Sequence, residues 1–211
     1  STTTSVSSKG GVQLTPFEIS AANYEENMHF FLSHCFRGKY DAAMRTLPNI
    51  TTGIKINRIE IWVTNKTGTA TNTRNIVALT DLGENDAVSN PLWTATGQAV
   101  PSNGANNEYQ TLNSIYGEAR DIASTTSVLD GAGLVGGVDY EKLESARLLG
   151  PSEYSLNTAL GYVSLRSTLQ SDQVLAVAYE YTYGGVTYQV GEFASDITDV
   201  TKALFVKSLK N

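Results

Sequence analysis

The chain has 211 residues, 41% hydrophobic and 17% charged, with 15 Lys and Arg against 21 Asp and Glu for a net charge of −6. That length supports one large domain or two small ones with a sizeable core, and an acidic balance without a basic tract argues against nucleic acid and anionic lipid as partners. Cys35 is the single cysteine, which excludes an intrachain disulfide and a Cys-based zinc site.

No apolar run approaches the ~20 residues of a membrane helix. The chain opens at Ser1 without a leader-type segment, as expected of a mature product or an excised fragment. Residues 1–14 are polar and aperiodic at the start (STTTSVSSKGG) and are read as a disordered linker; residues 15–211 are read as a single β-rich domain cut from a longer chain.

In chain order, Phe17–Ser20 is a short extended segment. Asn23 followed by Glu26 has the form of a helix N-cap with an acidic third residue. Tyr24, Met28, Phe31, Leu32 and Cys35 then fall on one helical face, and Gly38 closes that helix. Tyr40–Leu47 is a second short helix stopped by Pro48. Ile54–Thr64 alternates as a strand, with Ile59, Ile61 and Val63 on one face and Arg58, Glu60, Trp62 and Thr64 on the other. Trp62 therefore belongs to a second buried face or to an exposed interface. Asn65–Thr69 is a turn, Asn75–Leu79 a strand, and 81–104 a loop. Asn107–Tyr116 has helical spacing. Asp130–Gly137 (DGAGLVGG) is too glycine-rich for a packed element and is expected to be a mobile loop. Asp139–Leu149 is expected to be a helix capped by Asp139.

The last third is the most legible. Tyr154–Leu156 and Gly161–Leu165 precede a polar turn at Gln170–Asp172 and a long strand, Val174–Tyr183. Gly184-Gly185 then form a two-residue hairpin turn needing φ > 0 at both positions. In the resulting register Tyr181 faces Tyr188, Tyr183 faces Val186 and Tyr179 faces Val190, with Thr182–Thr187 and Glu180–Gln189 on the opposite face. Ala203–Leu209 is a final strand. The expected fold is mainly β with helices (α+β), an antiparallel β-sandwich or jelly-roll-like core decorated by two or three helices; an α+β sheet with helices on one face is the alternative.

Candidate chemistry is sparse. His29 and His34 are the only histidines, and five residues apart on one helix they diverge by roughly 140°. No G-x-S-x-G elbow, H-x-x-x-H or HExxH is present. Asp81, Glu84, Asn85 and Asp86 gather oxygens that a calcium loop could use, but without EF-hand spacing, and a solvated turn is the preferred reading. Glu60, Glu180 and Glu192 lie on predicted strands, and nothing singles out a catalytic pair. The sequons at Asn49 and Asn65 carry no assigned function. Accordingly no catalytic, cofactor-binding or metal-binding residue is expected, and the chain is not expected to be an enzyme. The face bearing Tyr179, Tyr181, Tyr183 and Tyr188 is either core or, if exposed, a stacking platform.

Several long strings resemble the SprA/Sov family of translocons. They are Phe17-Glu-Ile-Ser-Ala-Ala-Asn-Tyr-Glu25 with His29-Phe-Phe-Leu32, Thr51 to Thr67 (TTGIKINRIEIWVTNKT), and Asn75-Ile-Val-Ala-Leu with Asp81-Leu-Gly83. The densest matches are Lys142–Arg147, Pro151–Asn157, Leu160–Leu165, Val174–Tyr183 and Tyr188–Phe193. The resemblance spans roughly Leu14 to Leu209. It implies a very large outer-membrane β-barrel serving gliding motility and type IX protein export, from which this chain would be one non-catalytic domain off the membrane plane. The remainder of that polypeptide would then be its partner, with secreted cargo or accessory subunits as further ones. Nucleic acid and direct membrane insertion are not implied. The expected location is the cell envelope at the outer membrane, on the extracellular side, with the periplasmic side as the alternative. A carbohydrate- or ligand-binding β-sandwich of a bacterial surface protein is the competing reading.

Overall fold

The computed structural model describes residues 27–46, 52–68 and 70–210. The linker predicted over 1–14, the segment Phe17–Ser20, the proposed cap at Asn23, and Leu47 and Pro48 lie outside these residues.

The structure is mainly β with three α-helices among the described residues, as the α+β class requires, and one of its sheets closes into a five-stranded barrel. Its strands are β2 (Ile54–Val63), β3 (Thr73–Leu79), β4 (Tyr140–Leu148), β7 (Leu175–Tyr183) and β9 (Leu204–Lys210). Around the ring the order is β2-β4-β3-β9-β7 and back to β2. β7 is the spine. One of its edges pairs with β2 along its whole length; the other is shared by β9, opposite Leu175–Val177, and by β8 (Val186–Val190), opposite Tyr179–Tyr183. Closure between β2 and β4 rests on two pairs, Trp62–Leu148 and Val63–Arg147.

Alternation along these strands divides the core. Trp62, Ile76, Ala78, Leu143, Ala146, Ala176, Ala178, Leu204 and Val206 form one cluster, drawn from one face of every barrel strand, and fill the interior. Five strands enclose little space, so alanine stands at four of these positions. The opposite faces carry Ile61, Val63, Val77, Leu79, Val177, Tyr179 and Phe205, which merge into a larger cluster under the helices and the second sheet. Both sides of the wall are therefore buried, which is why β7 and β9 read as nearly unbroken apolar runs. Trp62, left open by its pattern, lies on the second buried face.

The second sheet is three-stranded, in the order β1-β6-β5, with β1 at His29–Phe31, β5 at Tyr154–Asn157 and β6 at Tyr162–Leu165. β1 corrects the helix expected from Asn23 to Gly38. Phe30 and Phe31 pair with Val163 and Tyr162, and the helix α1 begins only at His34, running to Met44. Ser33 is its cap, extended at φ −155°, and its hydroxyl accepts from Phe36 N at 3.1 Å. Gly38 lies inside α1, so the two short helices expected on either side of it are one.

The helix expected over Asp139–Leu149 is instead β4. Tyr140, Leu143 and Ala146 are buried at three-residue spacing, which imitates a helix. Two causes produce that spacing. Tyr140 and Leu143 face opposite sides of a wall buried on both. Between Leu143 and Ala146 a bulge adds one residue, where the β3–β4 register shifts between Arg74 and Ile76, Ser145 takes φ +50° and Ser145 N donates to Asn75 Oδ1 at 2.9 Å. Asp139 does cap, but caps the preceding loop, accepting from Val135 N at 2.8 Å.

Asp130–Gly137, expected as a mobile loop, is largely exposed but is anchored at its helical start and at Leu134. Asp130 and Gly131 end α3 (Thr125–Gly131), and Leu134 N closes on Leu129 O at 3.0 Å. Leu134 is buried, and Tyr140 donates to Asp130 Oδ1 at 2.7 Å. α2 (Glu108–Ser114) falls where helical spacing placed it. The hairpin turn has φ +59° at Gly184 and +81° at Gly185, and its register is the one expected.

Candidate functional site

A cavity of about 510 Å³ lies where the two sheets meet α1. His29, Phe30 and Phe31 of β1 form one wall, and His34 and Arg37 of α1 another. The floor is the loop that leaves β3 at Thr80 together with Lys207, Ser208 and Leu209 of β9. A smaller cavity of about 330 Å³ shares the β1 residues and adds Tyr40 and Tyr162. Phe31 packs edge-on against both of those rings, at centroid distances of 5.3 and 5.8 Å.

The floor is built by the loop that sequence had offered as a solvated turn. Asp81 and Glu84 are instead buried. Asp81 holds the loop in shape, its two oxygens accepting from Ser89 N and Asn90 N, both at 2.7 Å. Asn106 reinforces it, donating to the carbonyls of Asp81 and Glu84 at 2.7 and 3.0 Å. Gly83, at φ +76°, lets the backbone press on Val190; a β-carbon there would come within 2.6 Å of Val190 Cγ1. Glu84 is thereby carried beneath α1, where its carboxylate accepts from His34 N and meets Lys207 Nζ at 2.7 Å. A carboxylate suits the positive end of a helix. Both partners are almost fully buried, so each charge depends on the other. Lys207 also donates to Thr80 O at 3.2 Å.

Behind this floor stands Glu108, fully buried, with neither carboxyl oxygen hydrogen-bonded. Burial, and then the nearby Asp81 carboxylate, push it well above the ordinary carboxylate range. A raised folded-state value means stability that is complete below the ordinary glutamate value and is lost as pH climbs toward the folded one. Glu108→Gln is therefore expected to stabilise the chain at pH 7 and to lose that advantage near pH 4, as urea denaturation at the two pH values would register. An advantage independent of pH would mean that Glu108 does not titrate between the two states.

The histidines do not share a helix. His29 is on β1, where Nδ1 lies 2.7 Å from Ser164 Oγ of the directly paired residue, and His34 opens α1; both line the larger cavity. Cys35 is half-buried, and burial raises its thiol, the opposite of what a nucleophile needs. Among the described residues no three His, Cys, Asp or Glu side chains gather so as to hold a metal ion, and no helix is long and apolar enough to cross a membrane.

Tyrosine placement is settled by packing. Tyr179 and Tyr181 are fully buried, with ring centroids 6.0 and 5.1 Å from Phe36, while Tyr183 and Tyr188 are partly covered. Tyr181 donates to Pro101 O at 2.6 Å. Of the three glutamates expected on strands, Glu192 lies beyond the end of β8 and is the centre of a buried brace. It accepts from Tyr109, from both Arg120 terminal nitrogens and from Phe205 N. Burial, and then this carboxylate, push Tyr109 up to about 12. Glu60 accepts from Ala194 N at 2.9 Å; Glu180 is partly buried in the β7–β8 pairing.

Arg37 and Lys207 escaped sequence reasoning. Lys207 left a trace, since alternation in ALFVKSL assigns it to the face of Phe205, where a lysine is out of place without a partner. A scan against protein-family models finds no match for this chain, and a search of curated proteins finds none either.

Proposed function

We propose that this chain is a non-catalytic interaction domain of a large outer-membrane secretion translocon of the SprA/Sov type, acting in gliding motility and type IX export. The reading rests on the resemblance of its long strings, several of which form the barrel wall: Thr51–Thr67 contains β2 and Val174–Tyr183 contains β7. The observation that weighs for it over a sugar-binding module is the burial of Tyr179 and Tyr181, which leaves the tyrosine ladder as core. In this reading the partners are the rest of the same polypeptide and its cargo or accessory subunits, at the outer membrane, on the extracellular side.

The second reading, a carbohydrate- or ligand-binding β-sandwich of a bacterial surface protein, draws on the partly exposed rings of Phe31, Tyr40 and Tyr162 beside the smaller cavity. The three-stranded sheet packed over the barrel would then serve as the second layer of a sandwich. An antibody against the chain, applied to envelope fractions of the native cell, separates the two. A very large outer-membrane antigen supports the translocon. A soluble or lightly attached antigen near 22.7 kDa overturns it.

A further inference from the structure

The larger cavity contains a cation whose donors are not all used. An ammonium group has three N–H bonds. Those of Lys207 meet two acceptors, Glu84 Oε1 and Thr80 O. The side chain is only 4% exposed, and it lines the cavity. The Glu84 charge is already balanced, by Lys207 and by the His34 N–H. Arg37 stands three residues after His34, on the same face of α1, and among the described residues its guanidinium has no partner. Counting Glu84, Lys207 and Arg37, the lining has an excess of one positive charge, in a chain whose net charge is −6. Phe30 and Phe31 add apolar surface on the β1 side. The volume, about 510 Å³, far exceeds a bare ion and falls in the range of small organic ligands.

We infer that this cavity is an oxyanion-binding site, in which Arg37 and the spare Lys207 donor hold a carboxylate or phosphate while Phe30 and Phe31 cover the apolar body attached to it. The oxyanion has two sources, a small organic acid or an acidic side chain presented by a partner polypeptide. The inference stands whether or not the chain belongs to a translocon.

The test is a titration of the isotopically labelled 211-residue chain, followed by amide NMR. Its probes are benzoate, phenyl phosphate, inorganic phosphate and a blocked Phe-Glu-Phe tripeptide. Saturable shifts at Phe31, His34, Arg37 and Ser208 are expected, with affinity falling about tenfold in Arg37→Gln, the loss of one charge-assisted hydrogen bond. The exposed control Arg166→Gln should leave it unchanged. The double variant Lys207→Met with Glu84→Gln removes both buried charges together and should abolish binding. If it does not fold, the exposed Arg37 variant still decides. Tightest binding of benzoate or phenyl phosphate assigns the site to a small acid, and of the tripeptide to a partner's acidic side chain. Inorganic phosphate bound as tightly as phenyl phosphate removes the role of Phe30 and Phe31. Absence of saturable shifts with every probe up to about 10 mM, or equal affinity in Arg37→Gln, overturns the inference.

Discussion

Glu192→Ala is expected to cost about 3–5 kcal/mol, the range for removing one partner of a buried ion pair. The carboxylate is 3% exposed and accepts four hydrogen bonds: from Tyr109 Oη at 2.8 Å, Arg120 Nη1 at 2.8 Å and Nη2 at 2.5 Å, and Phe205 N at 2.9 Å. These donors come from α2, the 3-10 turn at Gly117–Arg120 and the start of β9. Alanine would leave the Arg120 guanidinium, 16% exposed and 4.1 Å above the Phe205 ring, without its counter-ion. It would also orphan the Phe205 N–H beside the barrel wall. Equilibrium denaturation in urea measures the loss, and a cost under about 1 kcal/mol would show that water replaces the carboxylate and that the brace is not structural.

A loss of roughly 2–5 kcal/mol is expected from Gly161→Ala, for two separate reasons. Gly161 has φ +66°, where an L side chain costs about 1–2 kcal/mol. Its added β-carbon would also sit within 2.9 Å of Phe36 Cγ, and Phe36 is buried against Tyr179 and Tyr181, so overpacking adds about 1–3 kcal/mol. Gly184→Ala supplies the comparison: its φ is +59°, but nothing lies within 4 Å of the added carbon, so only the backbone cost applies. Thermal denaturation of the two variants side by side separates the terms. Equal losses would mean that Phe36 yields freely and that the α1 contact with the β5–β6 hairpin is loose.

What was legible in advance follows from how far apart the determining residues lie. The β7–β8 hairpin could be read pair by pair, because Gly184-Gly185 fixes the turn and the turn fixes the register. β2 was readable because alternation survives from Ile59 to Val63, and β3 because Asn75–Leu79 is a short apolar run of strand length. β4 was not, since burial of both its faces and the bulge at Ser145 together replaced a period of two with a period of three. β1 failed for a different reason: Met28, Phe31, Leu32 and Cys35 do fit a helix, and only the pairing of Phe30 and Phe31 with β6 overrides that local preference. In the candidate site, both histidines drew notice in the sequence as diverging residues of one helix; His34 does stand on α1, whereas His29 lies on β1. Glu84 was read as a solvated loop acid, because its partners, Lys207 and the first turn of α1, come from opposite ends of the chain.

By itself the sequence determined the mainly β class, most strand positions, the hairpin register and the acidic balance. Each of these depends on turn chemistry or alternation within about ten residues, or on composition. Tertiary structure alone decided that the strands close into a barrel, that the tyrosine ladder is core, and that Arg37 and Lys207 share a cavity. These outcomes depend on which faces find partners across long stretches of chain, and neighbouring residues carry no record of that choice.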